Sequence, residues 1–159
     1  MKVSLKTGFS FGLTSGIITT LGLMVGLHSG THERLAVIGG ILTIAVADAF
    51  SDALGMHVSQ ESVDGNHKAQ IWLATLATFW SKLVFALTFV VPVLFLELLP
   101  AVVVGVVWGL LVLTVFSYLM AKSQKKSDPW KMALEHLLIG LLVVLISHFV
   151  GESIAQFFG

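Results

Sequence analysis

The sequence has no cysteine and few charged residues, and each shortage excludes a class of protein. Without cysteine, disulfides, thiolate metal ligands and thiol redox chemistry are all excluded. Charged residues make up 11% of the 159 residues and the formal net charge is zero, which removes the case for nucleic-acid binding. Soluble domains carry about 25% charged residues, whereas this chain is 56% hydrophobic with a mean hydropathy of +0.94. The composition therefore indicates an integral membrane protein.

Apolar runs predict five transmembrane helices in a single domain over residues 1–159. The runs cover about residues 8–28, 35–58, 70–96, 101–121 and 131–152. The third run is long enough to cross with a tilt or with a kink at Pro92. Asp64-Gly65-Asn66 is a turn signal in the loop before it. Pro129 is placed to start the fifth helix.

Basic residues outside the spans predict the orientation of the protein. Arg34 falls on one side of a five-span topology, and seven lysines fall on the other: Lys2, Lys6, Lys68, Lys122, Lys125, Lys126 and Lys131. The positive-inside rule places that lysine-rich side in the cytoplasm. We therefore expect an all-α integral membrane protein with a cytoplasmic N-terminus and its C-terminus outside.

The stretch Ala45–Glu61 carries two carboxylates inside the second predicted span. Asp48 and Asp52 are four residues apart, so they lie on one face of a helix. Met56 and Ser59 continue that face toward the helix end. A charge near the bilayer centre costs about 2.5–3.5 kcal/mol on insertion scales, and such residues commonly mark ion pathways. Two carboxylates with a thioether and a hydroxyl nearby predict a divalent-cation site.

Lys82, inside the third predicted span, offers a structural alternative. It lies eleven residues from Ile71, or roughly 16 Å along a helix, and Asp48 lies nine residues from His57, or roughly 13–14 Å. These depths allow a Lys82–Asp48 ion pair that would neutralise the acidic stretch. Such a pair is compatible with transport, because a lysine can move away or lose its proton when a cation binds.

Glycines in the first span recur at intervals of four residues. They form two series, Gly8, Gly12 and Gly16, and then Gly22, Gly26 and Gly30. Small residues at this spacing let two helix backbones approach closely in lipid. We therefore expect the glycine face of the first helix to pack against a partner helix.

Histidines and glutamates near the helix ends are candidates for sites where a metal enters and leaves, although such residues are also common at helix ends. The predicted cytoplasmic set is His57, His67, His136, Glu61 and Glu135. The predicted outer set is His28, His32, His148, Glu33 and Glu152. Within the outer set, His148 and Glu152 are four residues apart and can share a helix face.

Several stretches follow the pattern of a known family in the same order along the chain. They are Ser15-Gly-Ile-Ile-Thr-Thr-Leu-Gly-Leu-Met-Val-Gly26, then Ala47-Asp-Ala-Phe-Ser-Asp-Ala-Leu-Gly55, then Ala74 to Phe95, and then Asp128-Pro-Trp-Lys-Met-Ala-Leu-Glu-His-Leu-Leu-Ile-Gly140. These stretches resemble the first, second and third helices and the start of the fifth helix of the vacuolar iron transporter (VIT) family. The resemblance covers nearly the whole chain.

The resemblance implies a transporter of Fe²⁺ or Mn²⁺ that forms a two-fold homodimer through the first helix. Ser15 falls where the family has a metal-pathway aspartate, and Asp52 falls where it has a methionine ligand. Lys82 falls where the family pattern is usually apolar. The short loop around Asp64 stands where many members carry a glutamate-rich cytoplasmic domain, so the chain resembles a minimal member without it.

Two functions follow from these observations. The first is proton-coupled export of Fe²⁺ or Mn²⁺ from the cytosol, across the inner membrane of a prokaryote or a vacuolar-type membrane of a eukaryote. Its metal candidates are Ser15, Asp48, Asp52, Met56 and Glu61, with Asp48 and Lys82 as proton-coupling or counter-ion residues. The second is a non-transporting dimeric membrane protein whose Asp and Lys residues are structural.

No nucleophile–base arrangement or phosphate loop appears in the sequence, so we expect no enzyme. We also expect no permanently bound cofactor, because the metal ion would be the transported substrate. The expected partners are membrane lipid, metal ions and a second copy of the chain.

Overall fold

The chain forms six α-helices in a computed structural model that describes residues 2–63, 67–124 and 128–158, and no strand occurs within those residues. The helices are α1 (Lys2–Thr31), α2 (Arg34–Glu61), α3 (Lys68–Thr88), α4 (Val90–Phe95), α5 (Leu98–Gln124) and α6 (Pro129–Phe158). Together α3 and α4 make one membrane-length stretch, so five stretches are long and apolar enough to cross a membrane. The prediction of an all-helical protein with five such helices is confirmed. The orientation of the termini stays a prediction.

The helices extend beyond the apolar runs that predicted them. The first helix begins at Lys2 rather than near residue 8, and the last helix continues to Phe158 rather than ending near residue 152. Hydropathy marks only the part of a helix that is apolar, whereas intrahelical hydrogen bonds continue into its polar flanks. The turn signal Asp64–Asn66 and the side chains of Lys2, Lys125 and Lys126 lie outside the described residues.

Asp128 and Pro129 start α6 as the sequence predicted. The Asp128 side chain accepts a hydrogen bond from the Trp130 N–H at 3.0 Å, and its carbonyl accepts one from the Met132 N–H at 3.1 Å. The side-chain bond satisfies one of the helix's unpaired N–H groups. Proline fits the first helical position because it has no N–H to satisfy.

The third membrane-length stretch is interrupted at Phe89, between α3 and α4. The Phe89 N–H donates to the Ala86 carbonyl at 3.2 Å, a bond over three residues instead of four. Three residues later, Pro92 has no N–H to offer the Thr88 carbonyl, and its ring crowds that carbonyl. The disturbance expected at Pro92 therefore appears one turn earlier in the chain.

The helices divide into two compact units. The first unit is Met1–Thr20 with Ile41–Val90, and the second is Leu21–Gly40 with Val91–Gly159. Each unit therefore contains part of α1 and part of α2. The single-domain interpretation of the sequence stays a prediction.

In the first unit, the glycines of α1 pack against α3. A Cβ on Gly8 would overlap the Ala74 carbonyl, and a Cβ on Gly12 would overlap the Thr78 carbonyl. The Thr78 hydroxyl, which is fully buried, donates to the Gly8 carbonyl at 3.1 Å. The helix that contacts this glycine face therefore belongs to the same chain.

In the second unit, the later glycines of α1 pack against α6. A Cβ on Gly26 would lie 3.4 Å from the Ser147 carbonyl oxygen, and a Cβ on Gly30 would lie 3.3 Å from the Gly151 carbonyl oxygen. Both glycine series thus contact helices of their own chain. A homodimer through the first helix stays a proposal, and it would use another face of α1.

Arg34 ties the start of α2 to the end of α4 within the second unit. Its Nε donates to the Val93 carbonyl at 2.8 Å, and its terminal guanidinium nitrogen donates to the Leu96 carbonyl. The last carbonyls of a helix have no intrahelical partner. A guanidinium is well suited to them because of its charge and its several N–H donors.

Candidate functional site

The two intramembrane carboxylates lie beside the buried face of α2. Ala45, Ala49 and Ala53 form that face and are almost completely buried. Asp48 and Asp52 lie next to this row, one turn apart, with 21% and 19% of their side chains exposed. The spacing of four residues therefore places the two acids one above the other on α2, and each is partly accessible.

Lys82 brings a positive charge to these acids from α3. Its side chain is only 1% exposed, and its Nζ lies 2.5 Å from Asp48 Oδ2. The same Nζ forms an ion pair with Asp52 Oδ2. The Lys82–Asp48 contact that helix depth allowed is therefore present. The helix-depth argument named only Asp48 as a partner of Lys82, and the structure adds Asp52 as a second partner.

Ser15 links the lysine to Asp52. Its hydroxyl accepts a hydrogen bond from Lys82 Nζ at 2.8 Å and donates one to Asp52 Oδ2 at 2.6 Å. A hydroxyl can accept and donate at the same time, so it suits a position between an ammonium and a carboxylate. We name four side chains the midspan cluster: Asp48, Asp52, Lys82 and Ser15.

The two carboxylates have unequal hydrogen bonding. Asp52 Oδ2 accepts from both Ser15 and Lys82. Asp48 Oδ2 is within ion-pair distance of Lys82, yet it makes no hydrogen bond with any described residue. Direction as well as distance decides how well a carboxylate is hydrogen-bonded. Asp48 is therefore the less satisfied of the two acids.

The midspan cluster lies near the middle of the membrane-length helices that supply it. Asp48 is 14 residues after the start of the stretch Arg34–Glu61 and 13 before its end. Lys82 is likewise 14 residues after the start of Lys68–Phe95 and 13 before its end. At 1.5 Å per residue, each is about 20 Å from both ends of its helix. The cluster therefore lies at the mid-height of both helices.

Met56 and Glu61 do not join the midspan cluster. Met56 is buried one turn beyond Asp52 on α2. Glu61 is exposed and ends α2, nine residues after Asp52, or about 13–14 Å along the helix. A single ion therefore cannot contact both Glu61 and Asp52. The roles predicted for Met56 and Glu61 stay predictions.

The donor set of the midspan cluster fits a cation only after Lys82 moves. Among the described residues, no three His, Cys, Asp or Glu side chains form a group that could hold a metal ion. Here two carboxylates and a hydroxyl already surround the lysine ammonium. Oxygen donors of this kind suit Mn²⁺, and they also bind other hard divalent cations.

The position of Ser15 between Lys82 and Asp52 could not be predicted from the residue pattern of the sequence. Ser15 is one of several hydroxyl residues on the first helix, and others such as Thr19 bond to the carbonyl one turn earlier, at 2.9 Å. Only the family resemblance singled Ser15 out, and it did so as a metal residue. Its distance from Asp52 in the chain, 37 residues, leaves no local signal.

Comparison of the sequence with family models and with curated proteins finds no match. The resemblance to the vacuolar iron transporter family therefore rests on the motifs quoted above. Membership of that family stays a prediction.

Proposed function

We propose that the chain is a proton-coupled transporter of a divalent metal cation, Fe²⁺ or Mn²⁺, with Asp48 and Asp52 as the cation-binding pair. The observation that carries this proposal is the charge of the midspan cluster. Two carboxylates face one ammonium in the middle of membrane-length helices. An uncompensated charge at that depth is costly. A second positive charge, either a proton or a cation, therefore belongs to the cluster.

The unequal hydrogen bonding indicates where the second charge is bound. Asp52 is already satisfied by Ser15 and Lys82, whereas Asp48 Oδ2 has no hydrogen bond among the described residues. An added positive charge beside Asp48 Oδ2 would give this oxygen a partner and neutralise the excess charge of the cluster. In the proposed cation-free state, that charge is a proton.

Cation binding reverses this arrangement. A divalent ion between the two carboxylates requires both to be ionised, so the proton held by the acids is released. The ion also repels the Lys82 ammonium, and release of the lysine proton removes that repulsion. The cluster is then neutral in both states, and about two protons leave for each divalent ion bound. Exchange of protons for a cation is the step that an antiporter needs.

The position of the cluster supports this function. Substrate and coupling-ion sites of secondary transporters lie near the bilayer midplane. Export from the cytosol, the inner or vacuolar-type membrane and a homodimeric assembly belong to the same proposal. They follow from the lysine distribution and from the family resemblance rather than from the contacts of the cluster.

A second candidate is a non-transporting membrane protein in which the cluster is a structural lock. The observation in its favour is the burial of Lys82, whose side chain is 1% exposed and contacts three oxygen-bearing side chains. Breaking a buried ion pair by removing one partner typically costs about 3–5 kcal/mol. A lock of this kind would stabilise the helices without moving any ion.

Flux into liposomes separates the two functions. The full chain is reconstituted, a pH gradient is imposed, and Mn²⁺ or Fe²⁺ movement and internal pH are followed with separate fluorescent dyes. We expect cation movement that responds to the gradient and about two protons per cation. Glu97→Gln removes an exposed carboxylate away from the cluster and should behave as the unchanged protein. Flux equal to that of protein-free liposomes for both metals would favour the structural lock.

A further inference from the structure

The second unit contains a cavity of about 590 Å³ whose two ends differ in chemistry. Most of its wall is aliphatic and comes from α5 and α6. One end is polar, and its side chains are His28, Ser29 and His32 from α1 with His148 and Glu152 from α6. Three imidazoles and a carboxylate therefore border one space that no described side chain fills.

His28 and His32 have the spacing of a metal-binding pair. They are four residues apart at the end of α1, and their ring centroids are 5.4 Å apart. Two imidazoles that bind one tetrahedral ion through Zn–N bonds of about 2.0–2.1 Å have their centroids about 5 Å apart. The observed separation is close to that value.

His148 is oriented by a neighbour in the way that metal-binding histidines usually are. Its Nδ1 lies 2.7 Å from the Ser29 hydroxyl, which leaves Nε2 as the nitrogen for a ligand. Hydrogen bonding of the second nitrogen fixes the ring orientation and the tautomer of a ligating histidine. Glu152 follows His148 by four residues, so its carboxylate lies on the same face of α6.

One local feature is unexplained without a ligand. His28 Nδ1 is buried and has no hydrogen-bond partner among the described residues, although buried polar atoms are normally paired. His32 has a φ of 54° and donates its N–H to the His28 carbonyl at 3.0 Å, so it ends α1 as a left-handed cap. This cap places the His32 ring one turn after His28.

We propose that His28, His32 and His148 bind a divalent transition-metal ion, with Glu152 as a fourth ligand. Imidazole nitrogens suit Zn²⁺, Co²⁺, Ni²⁺ and Fe²⁺, and they discriminate against Mg²⁺ and Ca²⁺. The four side chains do not yet converge on one point, since the described residues hold no group of three that could bind an ion. Binding therefore includes a change of rotamer, for which the cavity has room. This site does not depend on the transport function proposed above.

Cobalt binding to the purified full chain tests this site, because tetrahedral Co²⁺ has strong visible absorption bands. The titration uses the Lys82→Met/Asp48→Asn/Asp52→Asn variant, so that the midspan cluster neither binds the ion nor keeps an unpaired charge. We expect one Co²⁺ per chain, displaced by Zn²⁺ and not by Mg²⁺. His28→Ala and His148→Ala should each weaken binding at least tenfold, and Ser29→Ala about tenfold through loss of the hydrogen bond that orients His148.

His32→Gly separates ligand loss from misfolding. Glycine accepts the left-handed backbone, so this variant should melt no lower than the unchanged chain while it loses Co²⁺ affinity. Ser153→Ala is the matched control, because Ser153 is exposed on α6 outside the cavity and its hydroxyl donates to the Phe149 carbonyl at 2.7 Å. Unchanged Co²⁺ affinity in a well-folded His28→Ala/His32→Gly/His148→Ala variant would overturn the proposal. That result would not bear on the midspan cluster or on the transport function proposed for it.

Discussion

Gly16 of α1 lies directly against Lys82 of α3, so that a Cβ on the glycine would be 3.1 Å from the lysine Cγ and 3.2 Å from its Cα. Because Gly16 has no side chain, Lys82 can pass close to α1 and reach Ser15, the residue before Gly16. The glycine series of the first helix therefore has a specific use in this unit. It admits a long charged side chain as well as a second backbone.

Gly16→Ala should lower the stability by about 1–3 kcal/mol relative to Gly39→Ala, because both changes gain helix propensity but only the first overpacks a close contact. The lysine stem or the α3 backbone has to shift, and the ion pairs of Lys82 shift with it. Gly39→Ala is the matched control, since a Cβ there would meet nothing within 4 Å. Thermal melts of the two variants in detergent make the measurement. Equal melting temperatures would show that the contact yields without cost.

Asp52→Asn should destabilise the protein more than Asp48→Asn. Asp52 accepts hydrogen bonds from both Ser15 and Lys82, whereas Asp48 Oδ2 is in ion-pair contact with Lys82 but makes no hydrogen bond with a described residue. Removal of one partner of a buried ion pair costs about 3–5 kcal/mol, and partial exposure of the acids reduces that figure. Melting temperatures of the two variants are compared at neutral pH. A lower melting temperature for Asp48→Asn would contradict this order.

Both asparagine variants should also lose proton-coupled cation flux under the proposed function. Asparagine keeps the shape of the side chain and removes only its charge, so the folded fraction can be matched between samples. The readout is Mn²⁺ flux into liposomes per folded protein. Normal flux by both variants would exclude the two acids as the transport site.

Lys82→Met should be the most destabilising single change in the midspan cluster, because it leaves two carboxylates without their cation. Adding Asp48→Asn and Asp52→Asn to Lys82→Met should restore most of the lost stability, since no unpaired charge then remains. Non-additivity in a mutant cycle measures this coupling. If the stability losses of the three changes simply add, the ion pairs contribute little to the fold.

Asp128→Ala should cost about 0.5–2 kcal/mol, because it removes the side-chain hydrogen bond to the Trp130 N–H at the start of α6. Asp128→Asn keeps an oxygen acceptor at the same position and should be close to neutral. Thermal melts of both variants, together with the unchanged chain, check the difference. Equal losses for alanine and asparagine would show that the cap bond is not what stabilises this end of the helix.

The sequence by itself determined the features that depend on neighbours along the chain. Apolar runs indicated the membrane-length helices, Pro129 indicated where α6 begins, and the spacing of Asp48 and Asp52 placed them on one face of α2. Depth matching also allowed the Lys82–Asp48 contact, because the helix rise converts residue number into height. These predictions succeed because hydropathy and the helix period are local properties.

Only the tertiary structure decided which faces meet. Height along a helix does not determine rotation about its axis, so the sequence could not show that Ser15 lies between Lys82 and Asp52, or that Asp52 is better bonded than Asp48. The partners of the two glycine series were undetermined for the same reason, since small residues permit a close approach without choosing the helix that makes it. The packing of α1 against α3 in one unit, and against α6 in the other, made that choice.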